Sequence, residues 1–332
     1  MTTFHLSLII PVYNRPNEVE ELLESLTQQS ETNFDVIIVE DGSKETCQQV
    51  VEAFKDKLNI SYFYIPNGGP GNARNYGAKQ GNGDFLIVLD SDCILPPEYI
   101  ESVNKELQVT GADAFGGPDK ASDSFTDVQK AINYSMTSFF TTGGIRGGKK
   151  KMDKFYPRSF NMGIRKNIYE TLGGFSKMRF GEDIDFSIRL FKHGCKVCLF
   201  PTAWVFHKRR TDWRKFFRQV YNSGIARINL YKKYPDSLKL VHLLPAVFTM
   251  GVFFLLIGSL FCTWSLLPLG LFSLLIFADS SIQNRSIKIG FLSIVASFIQ
   301  LLGYGCGFLD AAWNRLVLKK EDFSAFQKTF YK

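Results

Sequence analysis

The sequence predicts an α/β domain built on a doubly wound, mostly parallel sheet flanked by helices, followed by an amphipathic interfacial helix and two to three C-terminal transmembrane helices. Three observations point there. Over the first 110 residues short apolar runs alternate with helical patterns, the charge is divided unevenly along the chain, and residues 240–278 hold no charged side chain across 39 positions. Repeated strand-helix units with near-continuous apolar strands imply parallel strands buried on both faces. An uncharged run of that length suits two spans in a tight hairpin, since one span takes about 20 apolar residues.

The elements follow in order. Strand candidates are SLIIPV (7–12), DVIIV (35–39), SYFYI (61–65) and FLIVL (85–89). Helical patterns run about 17–29, 45–57, 70–81 (with Pro70 in its first turn) and 97–108. Ligands of such sheets bind outside the carboxyl ends of the strands, so the polar segments YNRP, EDGS, NGGPGNARN and DSD should crowd one edge. A looser region covers about 111–160, and a second α/β stretch covers 160–207, with a helix near 182–193 and a strand at 196–200.

The fourth strand runs straight into Asp90 and Asp92, separated by Ser91. If the chain stays extended, the two carboxylates stand on one face roughly 6 to 7 Å apart. Their repulsion is then about 2.5 kcal/mol at an effective dielectric near 20, so a positive group should offset it. A solvated strand end with an Asx-type turn before Pro96 is the ordinary alternative.

Residues 1–135 carry 9 Lys and Arg against 21 Asp and Glu, a net of −12, and residues 136–332 carry 30 against 11, a net of +19. An acidic half that handles an anionic ligand needs a cation between them, whereas a basic half suits phosphate groups or an anionic membrane surface. MTTFHLSLIIPVYNRP lacks a basic start and its apolar run is broken by Pro11, so no secretory signal is expected and the N-terminus should stay in the cytoplasm. Cys195 and Cys198 form a CxxC with no second pair for zinc and read as structural thiols. GGIRGGKKK (143–151) has no GK[ST] ending, which disfavours a P-loop and leaves a surface loop or a flap that meets phosphate or lipid headgroups.

From Trp213 to Tyr231, aromatic and aliphatic residues recur at steps of three and four beside Arg214, Lys215, Arg218 and Arg227. That is the pattern of an interfacial helix, with packing on a soluble core as the alternative. The hairpin of the first two spans should lie near Cys262–Ser265, and a third uncharged run covers Ile289–Leu309. With the N-terminal domain inside, the 279–288 loop bearing Arg285 and Lys288 returns inside, as the positive-inside rule prefers. Three spans leave Lys319, Lys320, Lys328 and Lys332 outside, against that rule, unless the third segment is re-entrant or lies flat.

Taken together, IPVYN (10–14), VEDGS (39–43), GNARNYG (71–77), LDSD (89–92), NMGIRK (161–166), GGF (173–175), GEDIDFSIRLFKHG (181–194) and AWVFH (203–207) resemble family 2 glycosyltransferases of the GT-A, Rossmann-like fold. The membrane tail is similar to bacterial members acting on exopolysaccharide or lipid-linked glycans, including succinoglycan-type enzymes. The resemblance implies a catalytic domain over 1–210 with its nucleotide-binding half at about 1–110 and its acceptor-binding half at about 111–210. An interfacial helix over 211–239, membrane segments over 240–310 and a basic tail over 311–332 complete the expected organisation.

The same resemblance implies the site. Asp92 is the expected direct ligand of Mg2+ or Mn2+, Asp90 sits nearer the ribose or reaches the ion through water, and His207 matches a position that contacts the metal in some members. A hard cation of this kind takes carboxylate and phosphate oxygens. Asp41 matches the carboxylate that accepts from the uracil imide, with Glu40 where the family usually has aspartate. Pro11 and Tyr13 line the base, Arg74 lies near the nucleotide, and Ser91 joins the donor side. Asp183 matches the general base, which must take a proton from an acceptor hydroxyl, and the dipole of a helix N-terminus favours its ionised form. Glu182 and Asn161 fall on the acceptor side. No QxxRW follows the base, the chain reading QVY at Gln219–Tyr221, which favours addition of one sugar.

The expected activity is inverting transfer from a nucleotide-sugar, with UDP first, to a membrane-associated glycan or polyprenyl-linked acceptor at the inner face of the cell membrane. Membrane lipids are expected as partners and nucleic acid is not. Two alternatives stand beside it, a sugar-nucleotide pyrophosphorylase and a non-enzymatic basic membrane-binding protein. The first would need a Gly-rich loop after the first strand, where YNRP stands instead.

Overall fold

In the computed structural model, residues 3–120, 125–142, 155–178, 180–207 and 212–320 are described. The basic GGIRGGKKK segment and the end of the tail lie outside them. The strands are β1 (Leu6–Val12), β2 (Phe34–Asp41), β3 (Ile60–Ile65), β4 (Phe85–Leu89), β5 (Cys93–Ile94), β6 (Ala114–Gly116), β7 (Asp119–Lys120), β8 (Asn161–Arg165), β9 (Val197–Leu199) and β10 (Val205–His207). The helices are α1 (Pro16–Thr27), α2 (Gln48–Phe54), α3 (Pro70–Gln80), α4 (Tyr99–Thr110), α5 (Asp127–Thr137), α6 (Phe139–Thr142), α7 (Lys166–Leu172), α8 (Glu182–Lys192), α9 (Trp213–Lys233), α10 (Leu244–Gly258), α11 (Leu267–Asn284) and α12 (Ile287–Ala312).

The chain forms two compact units. In the first, seven strands run in the order β3-β2-β1-β4-β8-β6-β9. β3, β2, β1 and β4 are parallel, as expected, with Leu6 opposite both Phe34 and Phe85. Every residue of β4 is buried, which explains its unbroken apolar run. β8 then pairs antiparallel with both β4 and β6, so the sheet reverses across its middle. The region expected to be loose, 111–160, in fact contributes β6 to this sheet and β7 to a second one of order β5-β10-β7. Strands of two or three residues are too short to show an alternating pattern.

Helix α3 lies close on the parallel half. A Cβ at Gly77 would stand 2.7 Å from Ile9 Cγ2 and 3.1 Å from Val39 Cγ2, so the last glycine of GNARNYG lets this helix approach the sheet. Because β1 to β4 run the same way, the segments after them converge. Asn14 N donates to Ser43 Oγ (2.9 Å), Lys44 N donates to Asn14 Oδ1 (2.7 Å) and Asn67 Nδ2 donates to the Asp41 carbonyl (2.8 Å).

The second unit is helical. Three stretches, Leu240–Gly258, Thr263–Asn284 and Ile287–Val317, are long and apolar enough to cross a membrane. Phe253, Phe254, Trp264 and Leu274 are among the large side chains they leave exposed. The turn between the first two falls at Cys262, as expected, but the expected 279–288 loop is shorter, because α11 runs through Asp279 to Asn284. Asp279 accepts from Tyr134 Oη of α5 at 2.6 Å, and the Ser280 and Ser293 hydroxyls pair at 2.7 Å between α11 and α12.

On helix α9, expected as an interfacial helix, Phe216, Val220, Gly224 and Ile228 are buried, and α12 packs on this face. A Cβ at Gly307 would fall 2.0 Å from the Tyr221 carbonyl, and one at Gly224 would fall 2.2 Å from that of Tyr304. Small residues facing each other let two helix backbones approach closely, as in membrane helix pairs.

Candidate functional site

At the end of β4 the chain turns instead of staying extended, Cys93 N donating to the Asp90 carbonyl at 3.1 Å. The extended-strand geometry expected for Asp90 and Asp92 therefore does not hold, although both carboxylates face His207. His207 Nε2 lies 3.1 Å from Asp92 Oδ1 and 3.8 Å from Asp90 Oδ2. The positive offset comes from two arginines: Arg15 Nη1 donates to Asp92 Oδ2 at 2.5 Å and Arg74 Nη2 to Asp90 Oδ1 at 3.0 Å. Burial works against the charged form of Asp92, but His207 and Arg15 outweigh it and hold the carboxyl well below its usual range.

Arg74 reaches further. Its other terminal nitrogen donates to Glu182 Oε1 at 2.9 Å, so one buried guanidinium joins the carboxylate after β4 to the first residue of α8. Both ends of the fork are thus engaged by protein carboxylates. Next to Glu182, Asp183 is 7% exposed and accepts from Arg158 Nε at 2.6 Å. The two neighbours are pushed apart: burial and then Asp183 raise the Glu182 pKa, whereas at Asp183 the Arg158 guanidinium overcomes burial and lowers it. Adjacent carboxyls held in opposite protonation tendencies are a recurrent device of acid-base sites.

The remaining expected residues divide. Pro11 and Tyr13 lie at the carboxyl end of β1, and Ser91 is buried in the turn between its two aspartates. Asp41 is buried at the end of β2, where its two oxygens accept from Gly68 N (2.7 Å) and Gly69 N (2.8 Å), bracing the loop that opens α3. Glu40, fully buried, accepts from the Ser43 hydroxyl and from Cys47 N (2.6 Å), which gives it a scaffold role. Asn161 departs from the acceptor-side expectation. It is fully buried, accepting from Tyr99 Oη (2.6 Å) and donating to the Ala203 carbonyl (2.8 Å), so both ends of its amide serve the fold.

Arg15 and Arg158 were absent from the expected set. Arg15 stands in YNRP, one of the segments expected at this edge, so its position was legible even though its partner was not. Arg158 belongs to a stretch without periodicity and carries no comparable signal.

Asp92 and His207 offer the oxygen and imidazole donors that suit a divalent cation, with Asp92 Oδ1 buried 3.1 Å from His207 Nε2 and Asp90 Oδ2 3.8 Å from the same nitrogen.

The family model described as "Glycosyl transferase family 2" matches residues 7–173, half of the chain. An uncharacterized glycosyltransferase of Haemophilus influenzae is 34% identical over 218 residues, covering 62% of this chain and 70% of that protein. Poly(ribitol-phosphate) beta-N-acetylglucosaminyltransferase TarS of Staphylococcus aureus is 38% identical over 99 residues, 29% of this chain and 17% of TarS. The chain spans less than a third of the length of several of the curated relatives it matches. In fold it is similar to the mannosyltransferase PcManGT from Pyrobaculum calidifontis, solved in complex with GDP-Man and Mn2+, with a TM-score of 0.65 at 14% identity over 95% of this chain and 89% of that one. A GT-A sheet with its carboxylates gathered at one edge, together with the family match across it, makes this chain a member of glycosyl transferase family 2.

Proposed function

We propose that the protein transfers one sugar, with inversion, from a nucleoside-diphosphate sugar, UDP-linked in the first instance, to a membrane-associated glycan or polyprenyl-linked acceptor in polysaccharide synthesis. The observation that carries this reading is the Arg74 bridge, which ties Asp90 on the donor side to Glu182 beside Asp183. Family membership replaces the pyrophosphorylase and non-enzymatic alternatives.

Asp183 is the base in this reading. Its carboxylate takes the proton of the acceptor hydroxyl as that oxygen bonds to the anomeric carbon, from the face opposite the departing diphosphate, which inverts the centre. Arg158 keeps Asp183 ionised for that step. Asp92, Asp90 and His207 would hold Mg2+ or Mn2+, which when bound screens the charge of the diphosphate and stabilises it on departure. Arg15 neutralises Asp92, and Asp41 braces the Gly68–Gly69 loop near the nucleotide. The three apolar helices support the reading of a protein anchored in the cell membrane and acting on an anionic lipid-linked acceptor at its inner face. The UDP choice is supported by the resemblance at Asp41.

The test is nucleotide release by membrane-reconstituted protein given Mn2+, a panel of UDP-, GDP- and dTDP-sugars and lipid-linked acceptors. Acceptor-dependent release of UDP is expected. Asp183→Asn should bind donor normally and lose about 10²- to 10⁴-fold in transfer, the range typical of a general base. Full activity of that variant removes the assignment.

A further inference from the structure

We propose that Cys93 supplies a sulfur donor to the cation site at Asp92 and His207, making it a site for borderline and soft divalent cations of the Zn2+ and Cd2+ class, which there compete with Mg2+ or Mn2+. The inference rests on the reading of Asp92 and His207 as cation ligands.

Sheet register carries it. β5 and β10 pair antiparallel with His207 directly opposite Cys93, and residues opposite each other in such a pair project from the same face. Asp92 immediately precedes Cys93 at the end of the turn. One donor atom from each of Asp92, Cys93 and His207 lies within 4.8 Å of the other two. The strand register therefore brings the three donors together.

Two further observations point to a ligand. Asp92 Oδ1 is buried, and the group that faces it is the other proposed ligand, His207 Nε2 at 3.1 Å. The Cys93 thiol, itself fully buried, is satisfied only weakly, with the Phe160 carbonyl 3.5 Å from its sulfur. Buried free thiols ordinarily fill apolar space. This one stands beside a carboxylate and an imidazole.

The donor set then decides the cation. Mg2+ takes oxygen ligands in near-octahedral geometry and has little use for sulfur, whereas Zn2+ and its heavier congener accept S, N and O donors in tetrahedral sites. As the metal-sulfur bond forms, the thiol proton is released to solvent. Asp90 is then left to Arg74, with which it already pairs.

The experiment titrates the full-length protein in detergent micelles with Cd2+, reading the ultraviolet sulfur-to-metal charge-transfer absorption, and in parallel with Mn2+, reading the free ion by electron paramagnetic resonance. Wild type, Cys93→Ser and His207→Gln are compared. Taking the difference between wild type and Cys93→Ser removes any absorption from Cys195 and Cys198, which both proteins retain. The expected result is a Cd2+ band absent from Cys93→Ser and also from His207→Gln, which keeps the thiol. Cys93→Ser should weaken Cd2+ binding by at least about tenfold, the lower end of what loss of even an outer-shell partner causes, and leave Mn2+ affinity nearly unchanged. An identical band in Cys93→Ser, or a band that survives in His207→Gln, overturns the proposal. Mn2+ binding with no Cys93-dependent band also overturns it while leaving the cation reading of the site standing, and binding of neither ion overturns both.

Discussion

Arg158 donates from Nε to Asp183 Oδ2 across 2.6 Å, so the carboxylate assigned as base has a guanidinium as its immediate neighbour. The Asp183 pKa lies below the ordinary carboxylate value, since Arg158 outweighs burial, and the group is therefore ionised throughout the neutral range. Replacing Arg158 by Ala removes that cation, raises the Asp183 pKa and leaves less of the ionised form at any mildly acidic pH. The acid limb of the kcat/KM profile is expected to move to higher pH, with Arg158→Lys in between. Because Glu182 is adjacent and its pKa is raised, the limb reports the pair rather than one group.

Arg74 is the only positive group within hydrogen-bond reach of Glu182 among the described residues, and it serves Asp90 as well. Arg74→Ala leaves buried carboxylates without their partner. The expected loss is about 3 kcal/mol, at the low end for a broken buried pair because Asp90 is partly exposed. Arg74→Lys should recover little of it, since an ammonium is a point charge and not a two-pronged fork. Thermal unfolding in detergent, with donor KM alongside, measures both.

Asn161→Ala tests the interior place found for that residue. The Tyr99 hydroxyl, fully buried, loses its acceptor, which is expected to cost about 1–3 kcal/mol. Acceptor KM, measured on the folded fraction, should stay unchanged. A selective rise in acceptor KM at unchanged stability would restore the acceptor-side expectation.

Gly307→Ala introduces a methyl group 2.0 Å from the Tyr221 carbonyl, so α9 and α12 must separate. Overpacking of this kind is expected to cost about 1–3 kcal/mol. Gly251→Ala on α10, where a Cβ meets nothing within 4 Å, is the control and should be neutral in the same unfolding measurement.

The parallel half of the sheet was legible in the sequence because β1, β2 and β4 are buried on both faces and read as continuous apolar runs. The antiparallel reversal was not. It depends on β6 and β8, and β6 has only three residues. The carboxylates of the site were legible as chemistry at strand and helix ends. Their partners were not, because Arg15 reaches a residue 77 positions away and Arg158 one 25 positions away, and pairings of that kind are set by the folded chain. The aromatic face of α9 was correctly found as apolar, but periodicity shows only that a face is covered and not what covers it.

Helix α12 emerges from the ribosome after all the helices it packs against. Until it arrives, the sides of Phe216, Val220 and Ile228 that α12 covers are open, and the notch at Gly224 is unfilled. A nascent chain halted before Ile287 would offer those side chains to chaperones and proteases. Arrival of α12 therefore hides a surface that a shorter nascent chain would show.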